Sequence, residues 1–122
     1  MPHVLVQCSD DFARSSGALS YIWLKDAIRA RASQVLTTPD ITLRPMDFSF
    51  MFLREGPDDS LIKDLQVIIL AHAAEVRVEN SDRLAAEIGD AVENVISSSF
   101  SVSVSLFLGE MGYFAGAGTL KP

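Results

Sequence analysis

Cysteine is nearly absent from this 122-residue chain, Cys8 standing alone. An internal disulfide is therefore excluded, and with it a disulfide-stapled extracellular scaffold. Histidine is almost as scarce: His3 and His72 are the only two, and no Cys/His spacing for structural zinc exists. No apolar run approaches the roughly twenty residues of a membrane span. Nor does a basic segment followed by a short apolar one mark a signal peptide. Positive charge is the minority, with 10 Lys and Arg against 16 Asp and Glu for a formal net charge of -6. Such a chain is repelled by phosphate backbones and anionic headgroups, so neither nucleic acid nor membrane is an expected partner. Together these features predict a soluble, cytoplasmic protein.

What positive charge there is resides mainly in arginine, at Arg14, Arg29, Arg31, Arg44, Arg54, Arg77 and Arg83. The planar guanidinium fork suits carboxylates, which points to a small anionic ligand. Apolar residues make up 48% of the chain, enough for the core of one domain over residues 1–122. A domain of this size keeps a large surface for its volume, and further burial needs partner subunits.

His3 to Cys8 reads as a strand centred on Val4, Leu5 and Val6, ending at the polar Ser9-Asp10-Asp11, where a loop is expected. Ser15 or Ser16 can cap a helix running to about Val35, with Leu19, Ile22, Trp23, Ala27 and Ala30 as its apolar stripe. Ile41 to about Phe52 is β-prone, and Pro45, having no N–H to donate, belongs at an edge or a bulge. Glu55-Gly56-Pro57-Asp58-Asp59 is a turn. The plan then repeats. Leu65 to Ala73 is an apolar run suited to a strand buried on both faces, with His72 expected as a hydrogen-bonded core residue. Asn80 or Ser81 caps a helix striped by Leu84, Ala85, Ile88, Ala91, Val92, Val95 and Ile96. From Phe100 to Leu108, Ser101, Ser103 and Ser105 alternate with Val102, Val104 and Leu106 at strand period, so one face is polar or interfacial.

The halves, about 2–54 and 64–110, are offset by about 63 positions, and the same offset carries Arg14 onto Arg77. Two βαβ units in one mixed four-stranded sheet with two helices on one face make an α/β sandwich, an α+β architecture whose other sheet face is bare. A second copy of the chain is the expected cover.

The opening Met1-Pro2-His3-Val4-Leu5-Val6-Gln7-Cys8-Ser9-Asp10 resembles the start of the 5-carboxymethyl-2-hydroxymuconate isomerase family, a branch of the tautomerase superfamily. The likeness is strongest over Pro2–Asp10 and continues through Ile41–Arg44 and Leu65–Arg83. It implies a homotrimer of duplicated βαβ protomers whose N-terminal proline is a general base. Arginines would hold a dicarboxylate while a proton moves between carbons of an enol or unsaturated keto acid of aromatic catabolism, without metal or cofactor. On that resemblance Arg44, Arg77 and Arg14 are candidate substrate ligands, and late aromatics such as Phe107, Tyr113 and Phe114 wall a pocket or seal an interface. Gln7 departs from the acidic residue typical of the family.

The chemistry of Pro2 can also be reached from the residue itself. Removal of Met1 leaves a secondary amine at the start of a strand; buried near arginines, its charged form is disfavoured, which makes it a base near neutrality. With Met1 attached, the nitrogen is an amide without usable basicity. A non-catalytic trimer is then the alternative, and another proline-based tautomerase, hydratase or dehalogenase is a further one. His3 is a secondary site residue, Cys8 a packing residue, and Asp10-Asp11 and Asp58-Asp59 are turn residues. Arg44 as a solvated edge charge and Arg14 as an idle loop charge are the competing readings of those two.

Overall fold

The computed structural model describes residues 2–54, 64–96 and 100–109, without the side chains of residues 15–20. The expected turn at 55–59 and the tail aromatics Tyr113 and Phe114 lie outside the described residues.

Strand β1 (His3–Cys8) runs almost directly into helix α1 (Asp10–Leu36). The helix starts earlier than the serine pair at 15 and 16 because Ser9 caps it: Ser9 is extended, and its Oγ accepts from the Phe12 N–H at 3.1 Å. Asp10 and Asp11, expected in a turn, occupy the first helical turn, where the helix dipole favours negative charge. The core-facing stripe also differs from the expected one. Phe12, Leu24, Ile28, Ala32 and Leu36 are wholly buried, whereas Ile22 and Trp23 are 55% and 56% exposed. Apolar residues lie all around this helix, and the face presenting Phe12, Leu24, Ile28 and Leu36 offers the larger volume to bury.

After α1, Thr38 and Ile41 exchange backbone hydrogen bonds, and Pro45–Asp47 forms a single 3-10 turn. Pro45 opens that turn, a place where its missing N–H costs nothing. Strand β2 (Ser49–Arg54) consequently begins well after Ile41. Strand β3 (Leu65–His72) leads into a short helix α2 (Glu75–Glu79) and then α3 (Ser81–Glu93). Strand β4 (Val102–Gly109) completes the described chain. Asn80 precedes α3 without a side-chain cap bond, its amide donating instead to the Val76 carbonyl at 2.7 Å.

The sheet order is β2-β1-β3-β4, with β1 parallel to β2, β3 parallel to β4, and the two halves joined by the antiparallel pair β1/β3. Val4, Val6 and Cys8 lie directly across from Ile69, Val67 and Leu65 on one face. There they meet Leu24, Ile28 and Leu36 of α1 and Leu84, Ile88 and Val92 of α3 in one core. Of the expected stripe, Leu84, Ile88 and Val92 are buried, whereas Val95 and Ile96 fall beyond the end of the helix and Val95 is exposed.

No described helix covers the opposite face. Register places Ser49, His3, Leu70 and Phe107 in one row across the sheet, and Met51, Leu5, Ile68 and Ser105 in the next. Met51, Leu70 and Phe107 are 60%, 45% and 56% exposed. This is the uncovered apolar sheet face that the serine alternation of the last strand foreshadows. His72 belongs to it as well: expected in the core, it is exposed, because even-numbered residues of β3 face away from the helices.

Candidate functional site

Pro2 is buried at the head of β1, its carbonyl accepting from the Ser49 N–H at 3.1 Å. That bond fixes the start of β2 beside it. On the other face of the same pair of strands, the exposed His3 and the half-buried Ser49 are linked through Nδ1 and Oγ at 2.5 Å.

Two of the three candidate arginines lie at this end of the sheet. Arg77, on α2, is only 2% exposed. Its Nε donates to the Leu36 carbonyl at 2.9 Å and its Nη1 to the His72 carbonyl at 2.7 Å. It thereby ties the C-terminus of α1 to the end of β3 and supplies the cation that the last turn of α1 lacks. Its Nη2 is buried without a hydrogen-bond partner among the described residues. Burial pulls the Arg77 guanidinium below its ordinary pKa. Arg44 immediately precedes the 3-10 turn, with its side chain 80% exposed. Its backbone N–H donates to Asp47 Oδ2 at 2.8 Å and its Nη2 to Asp47 Oδ1 at 3.4 Å. The Arg44 backbone N–H, followed by its guanidinium, holds the Asp47 carboxyl below the usual carboxylate range against a partial desolvation.

Arg14 lies at the other end. It pairs with Asp10 at 2.8 Å, and Arg54 Nε donates to the same carboxylate at 3.0 Å. The hydrogen bond from Arg54 is the main cause holding Asp10 below its ordinary pKa. The separation of Arg14 from Arg77 follows from the repeat itself. Each follows the first strand of its half, but β1 and β3 are antiparallel, so equivalent positions fall at opposite ends of the sheet. Within one protomer, Arg77 shares the Pro2 end of the sheet and Arg14 lies at the opposite end.

Asp47 and Asp10 are the partners that sequence reasoning passed over. Ser-Asp-Asp ahead of an apolar residue is a helix-start signal that could have located Asp10. Asp47, three residues beyond Arg44, carries no comparable local mark. Cys8 is buried with its Sγ 3.3 Å from the Tyr21 hydroxyl, a packing position as expected. A groove of about 380 Å³ lies between α3 and β4. Asp82, Asp90 and Glu93 wall it over Gly89 and Val104, so its field repels an anionic ligand. Among the described residues no three His, Cys, Asp or Glu side chains gather as a metal site, and no helix is long and apolar enough to cross a membrane.

No family model and no curated protein matches the chain. Solved structures do. A fused 4-OT symmetric trimer superposes with a TM-score of 0.63 at 15% identity, covering 94% of each chain. The fold is the tautomerase fold. An FG41 malonate semialdehyde decarboxylase, inhibited by 3-bromopropiolate, shares this tautomerase fold with a TM-score of 0.57 at 18% identity, over 95% of this chain and 90% of its own. A macrophage migration inhibitory factor-like protein from Entamoeba histolytica gives 0.55 at 16% identity, over 93% and 95%. The likeness extends over 93–95% of the chain in these three superpositions.

Proposed function

We propose that the chain is a cofactor-independent keto–enol tautomerase whose general base is the amine of Pro2, exposed by removal of Met1. The observation that carries this reading is the placement at one end of the sheet of a buried Pro2 and a buried Arg77 whose Nη2 has no hydrogen-bond partner among the described residues. The amine takes a proton from the carbon or enol oxygen of an unsaturated hydroxy or keto acid and returns it to another carbon. No atom is gained or lost. Arg77, with Arg44, holds the substrate's carboxylates and stabilises the dienolate that forms between the two transfers. The resemblance of the opening residues to 5-carboxymethyl-2-hydroxymuconate isomerases supports a small dicarboxylate of aromatic catabolism as substrate. His3, hydrogen-bonded to Ser49 on the bare face, lines the approach to Pro2. In this reading the working form is a cytoplasmic homotrimer in which neighbours cover the bare sheet faces. Assembly is also the route by which Arg14 of one copy can reach the Pro2 of another.

A non-catalytic protein of the same fold is the competing reading, favoured by the structural duties that both arginines perform. Paired preparations with and without Met1, verified by intact mass, separate the two. Protein lacking Met1 is expected to tautomerise 2-hydroxymuconate-type acids with a rate rising through an apparent pKa below the roughly 7.7–8.0 of an ordinary α-amine. The Met1-retaining form should be inert, and Pro2→Ala weakly active through its primary amine. Equal rates with and without Met1 would mean that another group is the base.

A further inference from the structure

Arg44 is a cation with a built-in competitor. Asp47 accepts from both its backbone N–H and its guanidinium, a reciprocal clamp across the 3-10 turn that Pro45 opens. The turn is closed by the Asp47 N–H donating to the Arg44 carbonyl at 2.9 Å. Directly after Asp47 the chain enters β2, whose Ser49 is bonded to Pro2. The Asp47 carboxylate is therefore anchored at the Pro2 end of the sheet, its ionised form favoured by the hydrogen bonds from Arg44, with about a quarter of its side chain exposed. The arginines at that end stand in different electrostatic states. Arg77 is paired with carbonyls and keeps a buried N–H group that has no partner among the described residues, whereas the largely exposed Arg44 already has a carboxylate oxygen 3.4 Å from its Nη2.

From this asymmetry we propose that Asp47 is a specificity-determining residue, an internal carboxylate that competes with the ligand's carboxylate for Arg44 and so limits how tightly the Pro2 site holds dianions. Arg77 is then the standing anchor for one carboxylate. Arg44 binds the second only by exchanging Asp47 for it or sharing its fork between the two. A guanidinium presents more than one face to carboxylates, so sharing is possible, but each bond is weakened by the other anion. Catalytic turnover gains from this arrangement, because a site that binds a dianionic ground state too firmly lowers KM without raising kcat.

The proposal rests on the reading of the Pro2 end as an anion site, though it does not require that Pro2 be a base. The test is calorimetric titration with adipate, an unreactive dicarboxylate, on the parent, Asp47→Asn, Asp47→Ser, Arg44→Ala and the Arg44→Ala/Asp47→Asn double variant. Both Asp47 substitutions keep an oxygen that can accept from the Arg44 N–H, and thermal melts verify folding. Removing the competing charge is expected to tighten adipate binding about three- to tenfold at low salt, with most of that gain lost in the Arg44→Ala background. In turnover the change should fall on KM more than on kcat, which a merely structural role of Asp47 would not produce. Unchanged or weaker adipate binding in both Asp47 variants, no detectable binding in any protein, or a gain that persists without Arg44 would each overturn the proposal. Failure of the tautomerase reading would look different: adipate binding would respond as described while Met1-free protein showed no turnover.

Discussion

Arg77 enters the core as a full charge whose Nε and Nη1 donate to the carbonyls of Leu36 and His72, holding a helix end against a strand end. Replacing it with methionine preserves much of the packing but leaves the buried Leu36 carbonyl and the part-buried His72 carbonyl without these donors. Each charge-assisted bond is worth about 1.5–3 kcal/mol. Arg77→Met is therefore expected to lower stability by about 2–4 kcal/mol in urea unfolding at fixed protein concentration. Arg77→Lys should recover only part of the loss, since an ammonium lacks the fork that reaches both oxygens. A loss below about 1 kcal/mol would show that the carbonyls find other partners. The arginine's place in the sequence, after an apolar strand, marks it as a candidate ligand. That it also joins two elements could not be read there, because Leu36 lies 41 positions away.

At the scale of elements, the N-terminus of α1 is organised by one carboxylate. Asp10 sits in the first helical turn, paired with Arg14 one turn along and with Arg54 at the end of β2, so it fastens helix to sheet. The hydrogen bond from Arg54 holds its pKa below the ordinary aspartate value, so its contribution is fully present above the unfolded pKa and is lost as pH falls through the folded one. Asp10→Asn should accordingly lower the melting temperature at pH 7 while leaving it close to the parent's well below pH 3.8. A difference that persisted unchanged into strong acid would locate the effect in the hydrogen bonds and not in the charge. Much at this scale was legible from sequence: the cores of β1, β3 and β4 and the Leu84–Ile88–Val92 stripe follow from short-range periodicity. The start of β2 and the buried face of α1 were not. Pro45 turns the chain before it can pair, and a helix with apolar residues on several sides takes its orientation from what it packs against.

For the whole molecule, the bare face raises the question of assembly. Met51, Leu70 and Phe107 lie exposed on the side that no described helix covers, flanked by partly buried Leu5 and Ile68. Exposed apolar area of this kind marks an association surface. In the homotrimer we propose, Leu70→Glu and Phe107→Glu should each shift sedimentation from trimer toward monomer, since an unpaired carboxylate in a closed interface is strongly disfavoured. A parent that sediments as a monomer at micromolar concentration would refute the trimer itself.

Composition and local pattern were sufficient to determine that this chain alternates strand and helix in two similar halves, leaves one strand face half-polar, is net acidic and carries its cations mainly as arginine. Those properties depend on residues within a turn or a strand of one another. Which arginine stands by Pro2 was decided only by the tertiary structure. The antiparallel pairing of β1 with β3 brings Arg77 to the head of β1 and sends Arg14 to its foot, although the two occupy equivalent positions in the repeat. The same pairing put His72 on the bare face. Strand direction and register are properties of contacts between residues some 60 positions apart, such as Val6 with Val67, and the short-range periodicities that define the elements say nothing about them.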